Sequence, residues 1–296
     1  MILYLNKVKK KYYWLACCAV LPFFVYVAQV SGFLRAPLQR FDNTEDAFVD
    51  NVLLDLGKLS DERVTPKVFF LDVPILTYHQ VRPMTESDDE RYRRFITTPE
   101  EFERQMQFIK DQGYNVISLS DAVVHLANNK PLHGKNIAIT FDDGYRSQYT
   151  FAFPILQKFG YTGTFFIYTN AIDNLNASMT WEEISDLDGH GMTIGAHTRS
   201  HAMLTNIGDK KILRDEIEGS KEDIQAHLQK NIDLFAYPFG AYDESIKTEV
   251  ESAGFRGAVS VNMGHLQTKD IRYALKRYNV NDNDIEFRAL LQANKK

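Results

Sequence analysis

The chain has 296 residues, and its 34 Lys+Arg against 39 Asp+Glu leave a net charge of −5. With 25% charged and 44% hydrophobic residues it has a globular composition, which excludes a largely disordered protein. No basic surplus supports a nucleic-acid partner, and 9 Pro with 16 Gly exclude collagen-like or Pro-rich architecture.

Residues 1–11 carry Lys7, Lys9, Lys10 and Lys11 and no acid, and the run from Tyr12 to Phe33 has no charged side chain. A helix of that length spans a bilayer core of about 30 Å. Tyr12, Tyr13 and Trp14 at its start suit the membrane interface. The lysines favour the cytoplasmic side. The expected organisation is therefore a cytoplasmic N-terminus over 1–11 and one transmembrane anchor over 12–34. The rest of the chain then lies outside the cytoplasm, in a periplasm or at a cell surface. Cleavage after Val30-Ser31-Gly32 would secrete it instead. Both cysteines, Cys17 and Cys18, fall in this run, so the remainder has no disulfide, thiol nucleophile or Cys-ligated zinc. Residues 35–70 are rich in acids and read as a membrane-proximal connector, with a short amphipathic helix over 47–59.

A domain over 71–296 alternates strand and helix. Val73–Tyr78 reads as a buried strand. Thr98 caps a helix that opens at Pro99, with Glu101 completing a capping box and Gly113 ending it. Val116–Leu119 is a strand, and Ser120 caps a helix over 121–126. Strands follow at Ile137–Phe141, Gly163–Tyr168, Met192–Ala196, Leu234–Tyr237 and Gly257–Val261. Helices are expected over 151–159, 180–187, 210–229 and 242–252. This alternation implies parallel βαβ units closing toward a barrel, with chemistry where strands end and loops begin.

Thr140-Phe141-Asp142-Asp143-Gly144 follows an apolar strand directly. Successive strand side chains point to opposite faces, so the turn at Gly144 must bring the two carboxylates to one mouth. Like charges this close demand a cation or a proton. A solvated turn is the plain alternative. His197-Thr198-Arg199-Ser200-His201 also follows an apolar strand. Two histidines four apart share one side of a helical turn and can bind one divalent ion. No His-Glu-x-x-His pattern is present, which excludes the zincin arrangement. Two His and one Asp make a three-ligand site with a position left for water, and the other Asp is free as a base. Phe235-Ala236-Tyr237-Pro238-Phe239-Gly240 turns sharply at a strand end, where backbone N–H groups suit an oxyanion. Ile75–Gln80 delivers His79 at the end of a buried strand.

Thr140–Gly144, His197–His201 and Tyr237–Gly240 resemble the first three motifs of the NodB-type polysaccharide deacetylases. The Ile75–Gln80 strand and Leu275-Lys276-Arg277 are similar to the branch acting on biofilm poly-β-1,6-N-acetylglucosamine, the IcaB/PgaB type. The resemblance covers residues 72–281 and implies a distorted (β/α) barrel with fewer than eight full units. It implies that Asp142 is the general base and that Asp143, His197 and His201 hold one divalent metal ion, usually Zn2+. It also implies an oxyanion donor in the Phe239 N–H and an acetyl pocket shaped by Pro238. Phe235 stands where many members carry a base-orienting Arg, so Arg277 or Arg199 is left to supply that charge. The family's late Leu-x-x-His has no clean match. The general acid is then His79, preferred for its core strand, or His265 in Met263-Gly264-His265-Leu266. Tyr145 and Tyr237 are candidates for stacking on sugar, while Trp181 reads as packing.

The implied activity is hydrolysis of N-acetyl groups on a β-linked N-acetylglucosamine polysaccharide. Alternatives are a peptidoglycan or chitin-oligomer deacetylase and a non-catalytic glycan-binding barrel. The implied partners are that glycan and, through the N-terminal helix, a membrane, with no nucleic acid.

Overall fold

The computed structural model describes residues 68–293 except residue 175. The expected membrane span over 12–34 and the helix over 47–59 lie outside the described residues. Among the described residues no helix is long and apolar enough to cross a membrane.

Eight strands form one parallel sheet: β1 (Ile75–Tyr78), β2 (Tyr114–Val116), β3 (Lys135–Phe141), β4 (Thr164–Ile167), β5 (Thr193–Ala196), β6 (Leu234–Ala236), β7 (Gly257–Val259) and β8 (Tyr278–Asn279). Their order is β7-β6-β5-β4-β3-β1-β8, with β2 also paired to β3. The strands are covered on both faces, as parallel strands between helices are. Alternate residues divide between two cores. Ile139, Phe141, Phe165, Phe235 and Tyr237 pack under the helices. Ile75, Ala138, Phe166, Leu234 and Val259, from β1, β3, β4, β6 and β7, meet in a second, smaller cluster. Strands this far apart in the order can touch across one face only if the sheet curls strongly toward it. A parallel bridge between Val259 and Leu275 carries the curl on from β7 to the segment that becomes β8. The fold is thus α/β, a curled parallel half-barrel, and Thr140 and Asp142 continue the inner face of Ala138.

Several boundaries differ from the sequence expectation, each for a local reason. The strand expected at Val116–Leu119 is Tyr114–Val116, because the Ser118 hydroxyl accepts the Asp121 N–H at 3.0 Å and starts the helix at Leu119. Thr98 does cap Pro99–Asp111, but no capping box forms. Asp282 takes the Thr98 N–H at 2.8 Å, and the Glu101 carboxylate turns to Arg104 and Gln105. A capping box does form at Thr180 and Glu183, opening Trp181–Gly189. Trp181 stacks on His227 with ring centroids 3.8 Å apart, a packing role. The helix expected over 210–229 carries a π-helical turn at Asp215–Gly219 between Lys210–Arg214 and Ser220–Leu228. A second π-helical turn, Gln148–Ala152, precedes the helix Phe153–Phe159. The closing helix, Asp284–Ala293, was not expected.

Candidate active site

The C-terminal ends of β1, β3, β5, β6 and β8 surround a cavity of about 560 Å³. His79, Asp142, Asp143, His197, His201 and Arg277 all line it, so residues spread over nearly 200 positions converge at one mouth. Four non-glycine residues around it have left-handed backbone: Asp143 (φ 75°), Thr198 (φ 67°), His201 (φ 60°) and Phe239 (φ 59°). Each such conformation costs about 1–3 kcal/mol and persists where its surroundings over-determine it.

Asp142 and Asp143 diverge at the end of β3. The Asp142 N–H stays in the sheet, donating to the Tyr78 carbonyl at 2.9 Å. The positive φ of Asp143 then swings its carboxylate toward the histidines. Asp143 Oδ1 lies 3.4 Å from His197 Nε2 and 3.2 Å from His201 Nε2. The three donor atoms all fall within 4.8 Å of one another. Two imidazoles and a carboxylate are the donor set of a divalent-ion site, and their mutual distances leave room for one ion. The residues present therefore fit a metal. His197 Nδ1 sits 2.7 Å from the Ala236 carbonyl, which fixes the ring so that Nε2 faces the site. His201 packs between the rings of Tyr168 and Phe239, at 5.3 and 4.8 Å. The expected helical turn for this pair is absent. The stretch 197–201 is irregular, and the backbone turns at Thr198 and His201, not a helical period, bring the rings within 4.9 Å.

Asp142 is held by Arg277 through two bonds, Nη1 to Oδ1 at 2.8 Å and Nη2 to Oδ2 at 2.7 Å. Burial by itself would raise the Asp142 pKa. The Arg277 charge and its two hydrogen bonds, with His197 and His79 behind them, bring it below the usual carboxylate value. Asp143 is likewise pushed up by burial and pulled lower by the two histidines. In return His197, which burial would lower, is raised by Asp143 and Asp142. Of the two cations left open by the sequence, Arg277 therefore meets the carboxylate. Arg199 does not, because Asp215 and Asp223 engage its guanidinium at 2.6 and 2.8 Å. Phe235 has no space for a longer side chain, since it packs against Tyr237 and Phe255 on the helix-covered face.

His79 faces the cavity with its ring edge-on to Phe95 at 4.9 Å, and its sealed Nδ1 has no partner among the described residues. Desolvation lowers its pKa against the pull of Asp142 and Asp143. His265 is elsewhere: its Nδ1 pairs with Asp72 at 2.8 Å, and it does not line the cavity. Tyr145 lines the cavity, and burial and then the Asp143 charge push its hydroxyl up to about 12. Tyr237 borders it, but its ring is buried against Phe235 and Tyr242 in the helix-covered core and its hydroxyl donates to the Tyr273 carbonyl at 2.8 Å, so it offers no face for stacking on sugar. Pro238 is buried beneath the turn and is not among the lining residues, because the sharp turn at Phe239 presents that ring instead.

The sequence reading missed two residues behind the cavity. Gln148, in the first π-helical turn, donates from Nε2 to the carbonyls of His79 at 2.7 Å and Asp142 at 2.5 Å. Glu216, in the second, accepts from the stretch 197–201. Each shares the buried stripe of its helix, Gln148 with Ala152 and Leu156, Glu216 with Leu213 and Ile217. A polar residue on such a stripe is the signal that a partner is committed to it.

Residues 129–258 match the family model for polysaccharide deacetylase. YxkH of Bacillus subtilis, named among polysaccharide deacetylases, is 29% identical over 208 residues, 70% of this chain and 71% of its own length. The poly-beta-1,6-N-acetyl-D-glucosamine N-deacetylase of Staphylococcus epidermidis is 25% identical over 193 residues, 58% of this chain and 66% of that protein. Among solved structures, the Streptococcus pyogenes deacetylase PplD in complex with acetate aligns with a TM-score of 0.70 at 25% identity, covering 78% of this chain and 100% of that one.

Proposed function

Because the chain carries a polysaccharide deacetylase domain and is a hydrolase, we propose that it removes N-acetyl groups from a β-linked N-acetylglucosamine polymer of the poly-β-1,6 kind, using one divalent metal ion, Zn2+ first among candidates. The observation that carries this is the Asp143, His197 and His201 donor cluster beside a second carboxylate, Asp142, that Arg277 holds ready. The similarity to the Staphylococcus epidermidis enzyme supports the choice of polymer. The uncharged run over 12–34 supports a membrane-anchored domain working outside the cytoplasm.

Asp143, His197 and His201 would hold the ion, whose chemistry there would be to polarise the amide carbonyl and to make water a nucleophile near neutral pH. Asp142 takes the proton of the water that attacks the amide carbon. Its lowered pKa keeps it ionised and ready at every physiological pH, and Arg277 fixes its direction. The Phe239 N–H donates to the oxyanion as it forms. His79 protonates the departing sugar amine. Its pKa is lowered, so it is neutral before the substrate enters; it takes a proton from solvent as negative charge develops beside it, and the proton held by Asp142 returns to solvent once the products leave. Tyr145 forms a wall for the sugar. The products are acetate and a glucosamine unit.

The test is acetate release from acetylated β-1,6-glucosamine oligomers, chitin oligomers and peptidoglycan, after chelation and again after Zn2+, Co2+ or Ni2+ is returned. Release confined to the β-1,6 oligomers and dependent on the returned ion is expected. Faster release from peptidoglycan or chitin would overturn the choice of polymer, and release unaffected by chelation would overturn the metal.

A further inference from the structure

The stretch 197–201 holds two ligand candidates without helix or strand to support it, and two of its residues sit at positive φ. Left to itself, such a segment relaxes to cheaper backbone angles and separates the two imidazoles. The loop after β4 holds its carbonyls, the Thr169 and Asn170 N–H groups donating to Thr198 and Arg199 at 3.2 and 2.8 Å, while the amides of Arg199 and Ser200 are held by one π-helical turn. Glu216 Oε2 accepts the N–H of Arg199 at 3.0 Å and of Ser200 at 2.9 Å, and Oε1 accepts the Ser200 hydroxyl at 2.5 Å. Both amides midway between the histidines thus point at one carboxylate, itself 9% exposed. The same turn receives the Arg199 side chain. Asp215 and Asp223 flank it, and a Cβ on Gly219 would stand 2.6 Å from its guanidinium carbon, so the bare glycine backbone makes the space. The widened turn is what brings Glu216 onto the buried stripe together with Ile217.

A parallel exists on the other side of the cavity. The π-helical turns described are these two, and the other carries Gln148, whose single amide ties the backbone of His79 to that of Asp142. Both breaks in helical regularity therefore supply a buried side chain that grips a segment bearing site residues.

We propose that Glu216 is a positioning residue for His197 and His201: it sets metal affinity by holding the backbone between them, through geometry and not through its charge. This rests on the metal-dependent reading above. The contribution is that of an outer partner that orients ligands without touching the ion.

The test is calorimetric titration of the chelator-stripped protein with Co2+ and with Zn2+, for the wild type, Glu216→Ala, Glu216→Asp and Glu216→Gln, each with its thermal midpoint measured in chelator. Gln keeps the reach: its amide oxygen accepts both N–H groups and its NH2 turns to the Ser200 oxygen. Asp keeps the charge but falls one methylene short. Glu216→Ala and Glu216→Asp are expected to weaken metal binding about 10- to 100-fold, and Glu216→Gln to stay within about threefold of wild type. Should Glu216→Ala fail to fold, the Asp and Gln variants decide alone. Wild-type affinity in folded Glu216→Asp, or a loss in Glu216→Gln that Asp does not share, overturns the inference while leaving the hydrolase reading intact. A wild type that binds neither ion overturns that reading, and this inference with it.

Discussion

Arg277 and Asp142 clasp each other across β1, which lies between their strands in the sheet. Arg277 precedes the two-residue strand β8 and reaches the end of β3, also donating from Nε to the Ser260 carbonyl at 2.9 Å and from Nη1 to Thr140 at 3.2 Å. Both side chains are almost wholly buried, at 1% and 6% exposure. Removing one partner of such a pair strands an uncompensated charge and costs about 3–5 kcal/mol. Arg277→Met is therefore expected to lower the thermal midpoint by ~10 °C and to abolish acetate release. Asp142→Leu combined with Arg277→Met should recover part of that stability but none of the activity. A double variant no more stable than Arg277→Met would show that the pair is not coupled. Arg277→Lys should not rescue, because a point charge lacks the planar fork.

The two adjacent carboxylates are expected to separate by substitution. Asp142→Asn keeps the three donors of the cluster and should bind metal within about threefold of wild type, while acetate release falls by about 10²–10⁴. His201→Ala removes a donor and should lose both. Metal content by elemental analysis, read beside acetate release, checks the division. Full activity in Asp142→Asn would reject Asp142 as the base.

The motif residues were legible because each cluster is contiguous in sequence and follows an apolar strand. What joins the clusters was less so. Arg277 and Arg199 looked equivalent along the chain; only the curl of the sheet sets one against Asp142 and packs the other against Asp215 and Asp223. The histidine spacing suggested a helical turn, yet residues at positive φ do the work, and sequence gives little sign of these where glycine is absent. The π-helical turns insert one residue into otherwise regular helices, so a 3.6-residue pattern reads straight through them and hides Gln148 and Glu216.

Gly195 shows how tightly β5 is seated beneath the histidines. A Cβ there would stand 2.5 Å from two ring carbons of Phe166 and 3.1 Å from the Leu234 carbonyl. Phe166 belongs to the inner core and the Leu234 carbonyl is sheet backbone, so neither neighbour yields easily. Gly195→Ala is expected to destabilise by about 1–3 kcal/mol and, by shifting the strand that delivers His197, to weaken metal binding. Urea denaturation in chelator, with metal titration alongside, checks both. An unchanged urea midpoint would mean that the inner core has slack.

His79 gives the pH dependence. Burial holds its pKa below the ordinary 6.5, since desolvation outweighs the attraction of Asp142 and Asp143. The unfolded chain therefore takes up a proton near pH 6.5 that the folded chain accepts only at lower pH. Between those two values the unfolded state binds more protons, so stability falls as pH drops from about 6.5 toward the native pKa. His79→Gln lacks that titration. Its urea midpoint relative to wild type, measured in chelator, is expected to move in the variant's favour between pH 7.5 and pH 5.5, and titrating groups that do not interact with His79 cancel in the difference. At pH 7.5, where His79 is neutral in both states, the difference should report packing alone. A difference constant across that range would mean that His79 titrates alike folded and unfolded, and that its ring is not held in the desolvated position beside Phe95 from which it would protonate the leaving amine.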